Sequence, residues 1–394
     1  MAVLGLTTAA VTMAGCGSVP ATGHDSLTAA AGIAGPALTT TLSASNGTSW
    51  AVLELGGSDA THNDFWELFV RPPGSAGWQL ATPAGVASNG GMVAAPSGPA
   101  ALIAAFRPSQ DLTFSPLAAT ADAGHHWAQA NVLDTGIANL PGALAADAGG
   151  RLLALTQHGV VEESTNLGAT WSRLSTLRAI ARTPAVRASC SLTALTAVAL
   201  TAAGVPLVGA SCATAGHGQA AAAPQRAGLL AATAGSWRPI GPVLPAALAR
   251  GPVTVLGLAA SGTRLTAILA AGAGPATSVL AAWSADNGAS WTISPAERAR
   301  TRTTPSVSIW ADGSAGLVLS AGRAVTIGWR AASWRVLPRV PARTAALAQT
   351  AGGQPEALAP DGSTLTVWQL GGPAATAWTR LQTVHVTIPY GSSG

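Results

Sequence analysis

The 394-residue chain contains no lysine, one tyrosine and four phenylalanines, and only 9% of its residues are charged. Nucleic-acid-binding proteins usually combine clusters of lysine and arginine with aromatic side chains that stack on bases. Neither pattern is present, although arginine gives the chain a formal net charge of +4. We therefore expect no nucleic-acid partner, and we interpret the missing lysine first as a codon effect.

The sequence signatures of common cofactor and metal sites are absent as well. The chain has no nucleophile elbow, P-loop or dinucleotide fingerprint, and its glycines follow turns instead of opening helices. Its three cysteines and seven histidines are not spaced as metal ligands. We therefore expect no cofactor and no bound metal.

Acidic residues are too few and too scattered to predict a hydrolase site. A glycosidase needs two carboxylates that face one cleft, and the chain has six glutamates and ten aspartates. Glu162 and Glu163 are adjacent, so on a strand they would point to opposite faces. The densest acidic group, which we interpret as solvated strand-edge side chains, comprises Glu54, Asp59, Asp64 and Glu67, with His62 among them.

Long apolar runs are missing too, because no stretch reaches the roughly 18 apolar residues of a membrane-spanning helix. Residues 2–14 form a short apolar run of the length typical of a signal-peptide core. The run ends in Met13-Ala14-Gly15-Cys16, which resembles a bacterial lipobox. The resemblance implies a signal peptide over 1–15 and a lipid anchor on Cys16, which would hold the exported protein on the outer face of the cytoplasmic membrane. The alternative is an ordinary apolar N-terminus on a cytosolic protein.

Export would place the chain in an oxidising compartment, in which disulfides form. Once Cys16 carries a lipid, Cys190 and Cys212 are the only cysteines left. They bracket an apolar segment, 191–210, and a hairpin through Gly204-Val205-Pro206 would bring its ends together. We predict a disulfide between Cys190 and Cys212, with two buried free thiols as the alternative.

The rest of the chain has the pattern of an all-β protein. Residues 16–35 are small and polar and predict a flexible tether, and residues 36–394 predict a single domain. Short alternating segments bounded by glycine and proline predict strands. The clearest are 253–260, 264–270, 306–310, 316–320 and 364–370.

Three segments, 120–127, 164–171 and 284–291, share one spacing and form an internal repeat. Each reads Ser/Thr-x-Asp/Asn-x-Gly-x-x-Trp. A short acid or amide side chain accepts hydrogen bonds from its own turn, glycine adopts positive φ, and tryptophan covers the hairpin. The pattern therefore predicts a structural turn, formed by Asp122, Gly124, Trp127, Asn166, Gly168, Trp171, Asp286, Gly288 and Trp291.

This repeat resembles the Asp-box (BNR) motif of sialidase-like β-propellers, and the resemblance covers nearly the whole chain after residue 36. In that family the motif lies between the last two strands of a blade, away from the ligand face. Four more tryptophans continue the series without the acid, and the seven lie 43 to 66 residues apart. Blades of four strands take roughly 40 to 50 residues. We predict seven four-stranded blades, with six or eight as alternatives, and a closing strand over 383–388.

The enzymes best known in that family are sialidases, and the residues that they need are missing here. They use an arginine cluster, a tyrosine nucleophile paired with a glutamate, and an aspartate acid/base. The single tyrosine of this chain, Tyr390, lies in a tail of glycine and serine. We therefore predict a non-catalytic binding or scaffold protein. A sialidase-like glycoside hydrolase and an assembly factor for a membrane complex are the alternatives.

Arginine is concentrated where each predicted blade would cross to the next, over the face on which propellers usually bind ligands. Twelve of the 20 arginines fall in these crossings, against one acid, Glu297. Guanidinium groups bind carboxylate and phosphate at two points, so we predict a monomer that binds an anionic cell-surface polymer or protein. The alternative is that these arginines keep the loops soluble. The predicted ligand-binding residues are Arg178, Arg182, Arg187, Arg298, Arg300, Arg302, Arg339 and Arg343.

Overall fold

A computed structural model describes residues 39–56, 64–86, 88–107, 112–213, 225–233, 235–249, 251–272, 277–299, 304–320, 322–372, 374 and 376–387. The predicted signal peptide, Cys16 and the tether lie outside these residues, as do Arg300, Arg302 and Tyr390. Among the described residues, no helix is long and apolar enough to cross a membrane. Apart from two short helices, the regular structure of this part of the chain consists of β-strands.

The strands fall in chain order into antiparallel units of four strands, or of five in unit 5. Hydrogen bonds join units 6 and 1 into one eight-stranded sheet and units 4 and 5 into one nine-stranded sheet. Units 1 to 3 comprise β1 (Thr40–Ser43), β2 (Ser49–Gly56), β3 (Asp64–Arg71) and β4 (Gln79–Leu80); β5 (Gly91–Pro96), β6 (Leu102–Arg107), β7 (Ser115–Thr120) and β8 (Ala128–Leu133); and β9 (Leu144–Ala146), β10 (Leu152–Leu155), β11 (Val160–Ser164) and β12 (Ser172–Thr176). Unit 4 comprises β13 (Ser191–Leu200), β14 (Pro206–Ala213), β15 (Leu229–Thr233) and β16 (Ser236–Pro239).

The later units follow the same order. Unit 5 comprises β17 (Val253–Ser261), β18 (Arg264–Ala271), β19 (Ser278–Ser284) and, both paired with β19, β20 (Thr292–Ile293) and β21 (Glu297–Arg298). Units 6 and 7 comprise β22 (Ser306–Ile309), β23 (Ala315–Ser320), β24 (Arg323–Ile327) and β25 (Arg335–Val336); and β26 (Ala346–Gln349), β27 (Pro355–Asp361), β28 (Thr364–Leu370) and β29 (Trp378–His385). The strands predicted over 253–260, 264–270, 306–310, 316–320 and 364–370 are confirmed to within a residue at each end.

The first strands of the units surround one axis. Each contacts the first strand of the next unit, and β26 of unit 7 contacts β1 of unit 1, so that the series closes. Between units 6 and 1, β1 also pairs in parallel with β22, where Leu42 lies opposite Ile309. This arrangement of antiparallel units around an axis is that of a β-propeller.

The topology gives the propeller two ends that differ in the connections they carry. In a unit of four antiparallel strands, the fourth strand ends where the first begins. All connections from one unit to the next therefore lie at one end of the axis, which we call the crossing end. The connections between first and second strands, and between third and fourth strands, lie at the other, which we call the turn end.

The apolar core lies between neighbouring units. Trp50 and Leu68 of unit 1 pack with Met92 and Phe106 of unit 2, and all four side chains are buried. Each of the six core clusters formed by the described residues combines side chains from two or more neighbouring units. Burial of apolar surface between units therefore holds the ring together.

Unit 7 and unit 1 share no strand and are connected by side chains and by a backbone hydrogen bond from the Gly56 amide to the Gly362 carbonyl at 2.9 Å. The predicted closing strand over 383–388 is wrong, because residues up to His385 belong to β29 and pair with β28. Unit 1 already has four strands of its own, and β28 is the nearer partner along the chain. The Gln382 side chain makes one of the links, since it accepts from the Trp78 amide at 2.7 Å and donates to the Trp78 carbonyl at 2.8 Å.

A buried ion pair forms the centre of this contact. Arg71 of β3 pairs with Glu356 of β27, and their side chains are 4% and 1% exposed. Arg71 also donates to Ser49 Oγ at 3.0 Å and to the Gln349 carbonyl at 2.6 Å, and Trp78 Nε1 donates to Glu356 at 3.2 Å. Burial raises the pKa of Glu356 above its ordinary value, and the charge of Arg71 offsets part of that effect.

Two short helices, which the sequence analysis did not predict, occupy the crossing from unit 3 to unit 4. They are α1 (Leu177–Arg182) and α2 (Pro184–Ser189). The Thr176 side chain caps α1 by accepting from the Ala179 amide at 3.1 Å, and Pro184 occupies the first turn of α2, where its missing N–H costs nothing.

The predicted disulfide lies at the end of α2. Cys190 ends α2 and is bonded to Cys212 in β14, with 5.3 Å between the Cα atoms. The β13–β14 hairpin brings the two residues together, so the predicted pairing and its reason are both confirmed.

Replacing both cysteines, Cys190→Ser with Cys212→Ser, should lower the free energy of unfolding by about 3 kcal/mol, because the bond closes a loop of 22 residues. Urea unfolding followed by tryptophan fluorescence measures the change. Chemically reduced wild-type protein is the control and should behave like the double variant. Equal stability of oxidised, reduced and variant proteins would contradict the expectation.

Glu356→Gln should lower the free energy of unfolding by about 3 to 5 kcal/mol, because it leaves the Arg71 charge buried without a partner. Asp361→Asn is the matched control. It removes the carboxylate of the exposed pair with Arg343, whose side chains are 65% and 62% exposed, and should cost less than about 1 kcal/mol. Similar losses in the two variants would show that the buried pair does not hold the ring.

Candidate functional site

The three predicted turns share one hydrogen-bond network. In each, the hydroxyl of the first residue donates to the acid or amide side chain and accepts from the glycine amide, at 2.7 to 2.9 Å. That side chain also accepts from the amide four residues later, at 2.8 to 2.9 Å. The glycine and the residue before it both have positive φ, between +56° and +88°. The three segments therefore form turns with the same hydrogen bonds, in which the hydroxyl of the first residue takes a part that the sequence analysis did not predict.

These turns connect third to fourth strands, at the turn end. Hydrogen bonds from the Ser290 side chain and amide lower the pKa of Asp286 to about 2. Those from the His126 amide and ring lower the pKa of Asp122 still further. Both carboxylates therefore accept hydrogen bonds from within their own turns.

The tryptophans do more than cover their own hairpins. Each of the seven in the series lies within one residue of the start of a fourth strand. They are Trp78, Trp127, Trp171, Trp237, Trp291, Trp334 and Trp378. Three of them donate from Nε1 to a carbonyl of the preceding unit: Trp291 to Ile240 at 2.6 Å, Trp334 to Pro295 at 2.9 Å and Trp378 to Pro338 at 3.3 Å. At these three positions the tryptophan therefore also connects one unit to the next, whereas Nε1 of Trp127 and of Trp171 is buried without a hydrogen-bond partner among the described residues.

The arginine-rich crossings hold their side chains in solvent. Six of the eight predicted ligand-binding arginines lie in the described residues, and all six are exposed. They occupy three connections at the crossing end: Arg178, Arg182 and Arg187 between units 3 and 4, Arg298 between units 5 and 6, and Arg339 and Arg343 between units 6 and 7. The structure thus brings them to one end of the propeller, distributed over one side of the ring.

Two acids at this end are already neutralised. Glu297 pairs with Arg323, whose Nη1 also donates to the Arg298 carbonyl at 2.8 Å. Asp361 pairs with Arg343. Among the described residues, Arg178, Arg182, Arg187, Arg298 and Arg339 take part in no ion pair. Their guanidinium groups are therefore available to an external anion.

The acidic group of unit 1 does not consist only of solvated side chains. Glu54 is exposed, as predicted, but Glu67 is 8% exposed and accepts a hydrogen bond from the Thr82 hydroxyl. Burial raises the pKa of Glu67 above its ordinary value. The prediction is therefore wrong for Glu67, because Thr82 supplies a partner inside the unit. Asp59 and His62 lie outside the described residues.

An axial cavity of about 330 Å³ opens at the turn end. The ends of the first strands surround it, and Arg264 is the only charged residue among its described lining residues. Two carboxylates facing one another, which a glycosidase requires, are not among them. In the described part of the chain, no group of three or more histidine, cysteine or acidic side chains could hold a metal ion.

No protein-family model matches this sequence, and no characterised protein matches it. Solved structures do resemble the fold. A putative 6-phosphogluconolactonase from Bacteroides uniformis is 11% identical with a TM-score of 0.52, over 86% of this chain and 97% of that chain. The corresponding putative enzyme from Bacteroides fragilis is 12% identical with a TM-score of 0.51, over 87% and 96%.

YCF48 bound to a D1 peptide is 14% identical over 84% of this chain and 91% of that chain, and its TM-score of 0.43 is too low to support an inference. These neighbours are β-propeller proteins. At such low identities the likeness shows the fold alone, so the chain is a β-propeller on structural grounds.

The contribution of the Asp286 turn to the stability of the protein should depend on pH. The pKa of Asp286 lies below the ordinary value of an aspartate, so the ionised form stabilises the fold at neutral pH, and this contribution disappears as the pH falls through about 2. Asp286→Asn should therefore be less stable than wild type at pH 6, with the difference shrinking toward pH 2 in thermal unfolding.

Asn166, the amide residue at the equivalent position of another repeat turn, provides the control. Asn166→Asp should gain the pH dependence that Asp286→Asn loses, because the Ser164 hydroxyl and the Thr170 amide would bond the new carboxylate. A stability difference between wild type and Asp286→Asn that stays constant from pH 6 to pH 2 would contradict this assignment.

Proposed function

We propose that this chain is a seven-bladed propeller of the Asp-box type, exported and anchored through Cys16, which binds an anionic cell-surface polymer without catalysing a reaction. The seven four-stranded units and their three matching turns support the blade number and the repeat type. Five exposed arginines without an ion pair, gathered at the crossing end, are the observation that carries the binding role.

The distribution of charge at this end favours an extended anion over a small one. The available guanidinium groups lie on three separate connections, so no single pocket gathers them. A polymer that carries repeated carboxylate or phosphate groups would contact several connections at once, and each guanidinium fork would bind one group. Glu297 and Asp361 would repel it little, because Arg323 and Arg343 already neutralise them.

The acids at the crossing end support a role without hydrolysis, because this end corresponds to the ligand face of the family that the repeat resembles. Glu297 and Asp361 are each held in an ion pair with an arginine there, and the acids of two repeat turns, Asp122 and Asp286, accept hydrogen bonds within their own turns. Export and the lipid anchor rest on the sequence at Cys16.

Replacing Arg182 and Arg187 by alanine should weaken binding to immobilised polyphosphate about five-fold, because each exposed charge contact contributes up to about 1 kcal/mol. The salt dependence of binding should also become shallower, since fewer charges take part. Biolayer interferometry over a series of salt concentrations measures both quantities, with neutral dextran as the reference surface.

The matched control removes the same charge elsewhere. Arg330→Asn with Arg380→Ala alters two exposed arginines, one in a turn-end connection and one on the outer strand β29. Asparagine suits position 330, where φ is +54°. Binding should stay within two-fold of wild type. An equal loss of affinity in both double variants would show that binding depends only on the net charge of the protein, which would contradict the proposal. Absence of polyphosphate binding by the wild-type protein would overturn it.

A further inference from the structure

The axial cavity at the turn end has no part in the proposed binding of a polymer at the crossing end. The first strands of units 1 to 6 end around it, while unit 7 is screened because β1 pairs directly with β22. The Thr41 hydroxyl closes this side by donating to the Leu347 carbonyl of β26 at 2.5 Å. The cavity therefore has a continuous wall.

Small apolar residues leave this space open. Each of the six units contributes at least one alanine to the wall, and proline, glycine, leucine and isoleucine supply much of the remainder. Alanine extends only a methyl group toward the axis, so the strands meet without filling the centre. The alanines are Ala44, Ala94, Ala95, Ala145, Ala146, Ala199, Ala259, Ala260 and Ala311. A volume of about 330 Å³ lies at the small end of the range for ligand pockets.

One positively charged side chain, that of Arg264, lies at the mouth of the cavity. Arg264 begins β18, its side chain is exposed, and its guanidinium carbon lies 5.3 Å from the centre of the Trp329 ring. It takes part in none of the ion pairs of the described residues. A guanidinium group that stacks on an indole keeps its in-plane N–H donors free for a second partner.

The residues around Trp329 hold its ring in the position in which it contacts Arg264. Trp283 packs edge-on against it with 6.4 Å between ring centres, and Trp283 Nε1 donates to the Gly313 carbonyl at 3.1 Å. Thr266 donates to the same carbonyl at 3.2 Å. A Cβ atom at position 313 would lie 2.3 Å from the Trp329 ring, so only glycine lets the ring pack there.

We propose that this cavity binds a small apolar molecule that carries one carboxylate. The hydrocarbon part would lie among the alanines, where apolar surface leaves water, and the carboxylate would accept two hydrogen bonds from Arg264. The described lining includes no acid that would repel the ligand. A bare phosphate would leave the apolar wall unused.

Isothermal titration calorimetry with octanoate tests the proposal on the full chain. Octanoate should bind, and octanamide, which has the same length without the charge, should bind about ten-fold or more weakly. Arg264→Ala should reduce octanoate affinity by about the same factor, and Arg264→Lys should give an intermediate value because ammonium lacks the two-point fork.

The controls separate this site from the crossing end. Arg380→Ala, which removes an exposed arginine on β29, and the double change Arg182→Ala with Arg187→Ala should leave octanoate binding within two-fold of wild type. Arg264→Ala should in turn keep wild-type binding to polyphosphate and wild-type urea unfolding, because Arg264 is exposed.

Three results would overturn the proposal: no binding of octanoate by wild type, equal affinity for octanoate and octanamide, or undiminished affinity in Arg264→Ala. Binding of a peptide that ends in an apolar residue with a free carboxylate, without binding of octanoate, would also overturn it, because the ligand would then be a protein terminus. None of these results bears on polyphosphate binding at the crossing end.

Discussion

The buried contact between Arg71 and Glu356 is the constraint on which the ring depends. A propeller is stable as a closed series, because each unit covers apolar surface of the next, and an open seam would expose that surface on both sides. Here no strand is shared across the seam. Two charges taken out of water carry a desolvation penalty that good geometry must offset, and Ser49, Gln349 and Trp78 supply the further hydrogen bonds.

The repeat turn contributes to the contacts between units elsewhere in the ring. Its Ser or Thr hydroxyl and its acid or amide fix two residues with positive φ, and the tryptophan that follows is thereby held at the start of the fourth strand. From there Trp291 reaches a carbonyl of the preceding unit. Trp334 and Trp378 make the same kind of contact from units in which the acid is missing, so the contact between units does not require the complete turn.

Local features were predictable from the sequence because their causes are local. Glycine turns and alternating residues located the strands, and the hairpin between Cys190 and Cys212 located the disulfide. The predictions failed where partners lie far apart in the chain. Nothing in the sequence pairs Arg71 with Glu356, 285 residues away, or places Arg264 over Trp329. The closing strand was wrong because alternation in a segment does not tell which sheet edge it joins, and α1 and α2 are too short to show a helical period.

The absence of lysine, first attributed to codon use, has a structural counterpart. Arginine occurs here in two settings that use its planar guanidinium group: buried against a carboxylate at position 71 and placed over an indole at position 264. Lysine would keep the charge in each but lose the two-point hydrogen bonding at Arg71 and the stacking at Arg264. A codon bias toward arginine therefore costs this fold nothing. In the seam it supplies the one basic side chain whose donors can reach Glu356, Ser49 and the Gln349 carbonyl together.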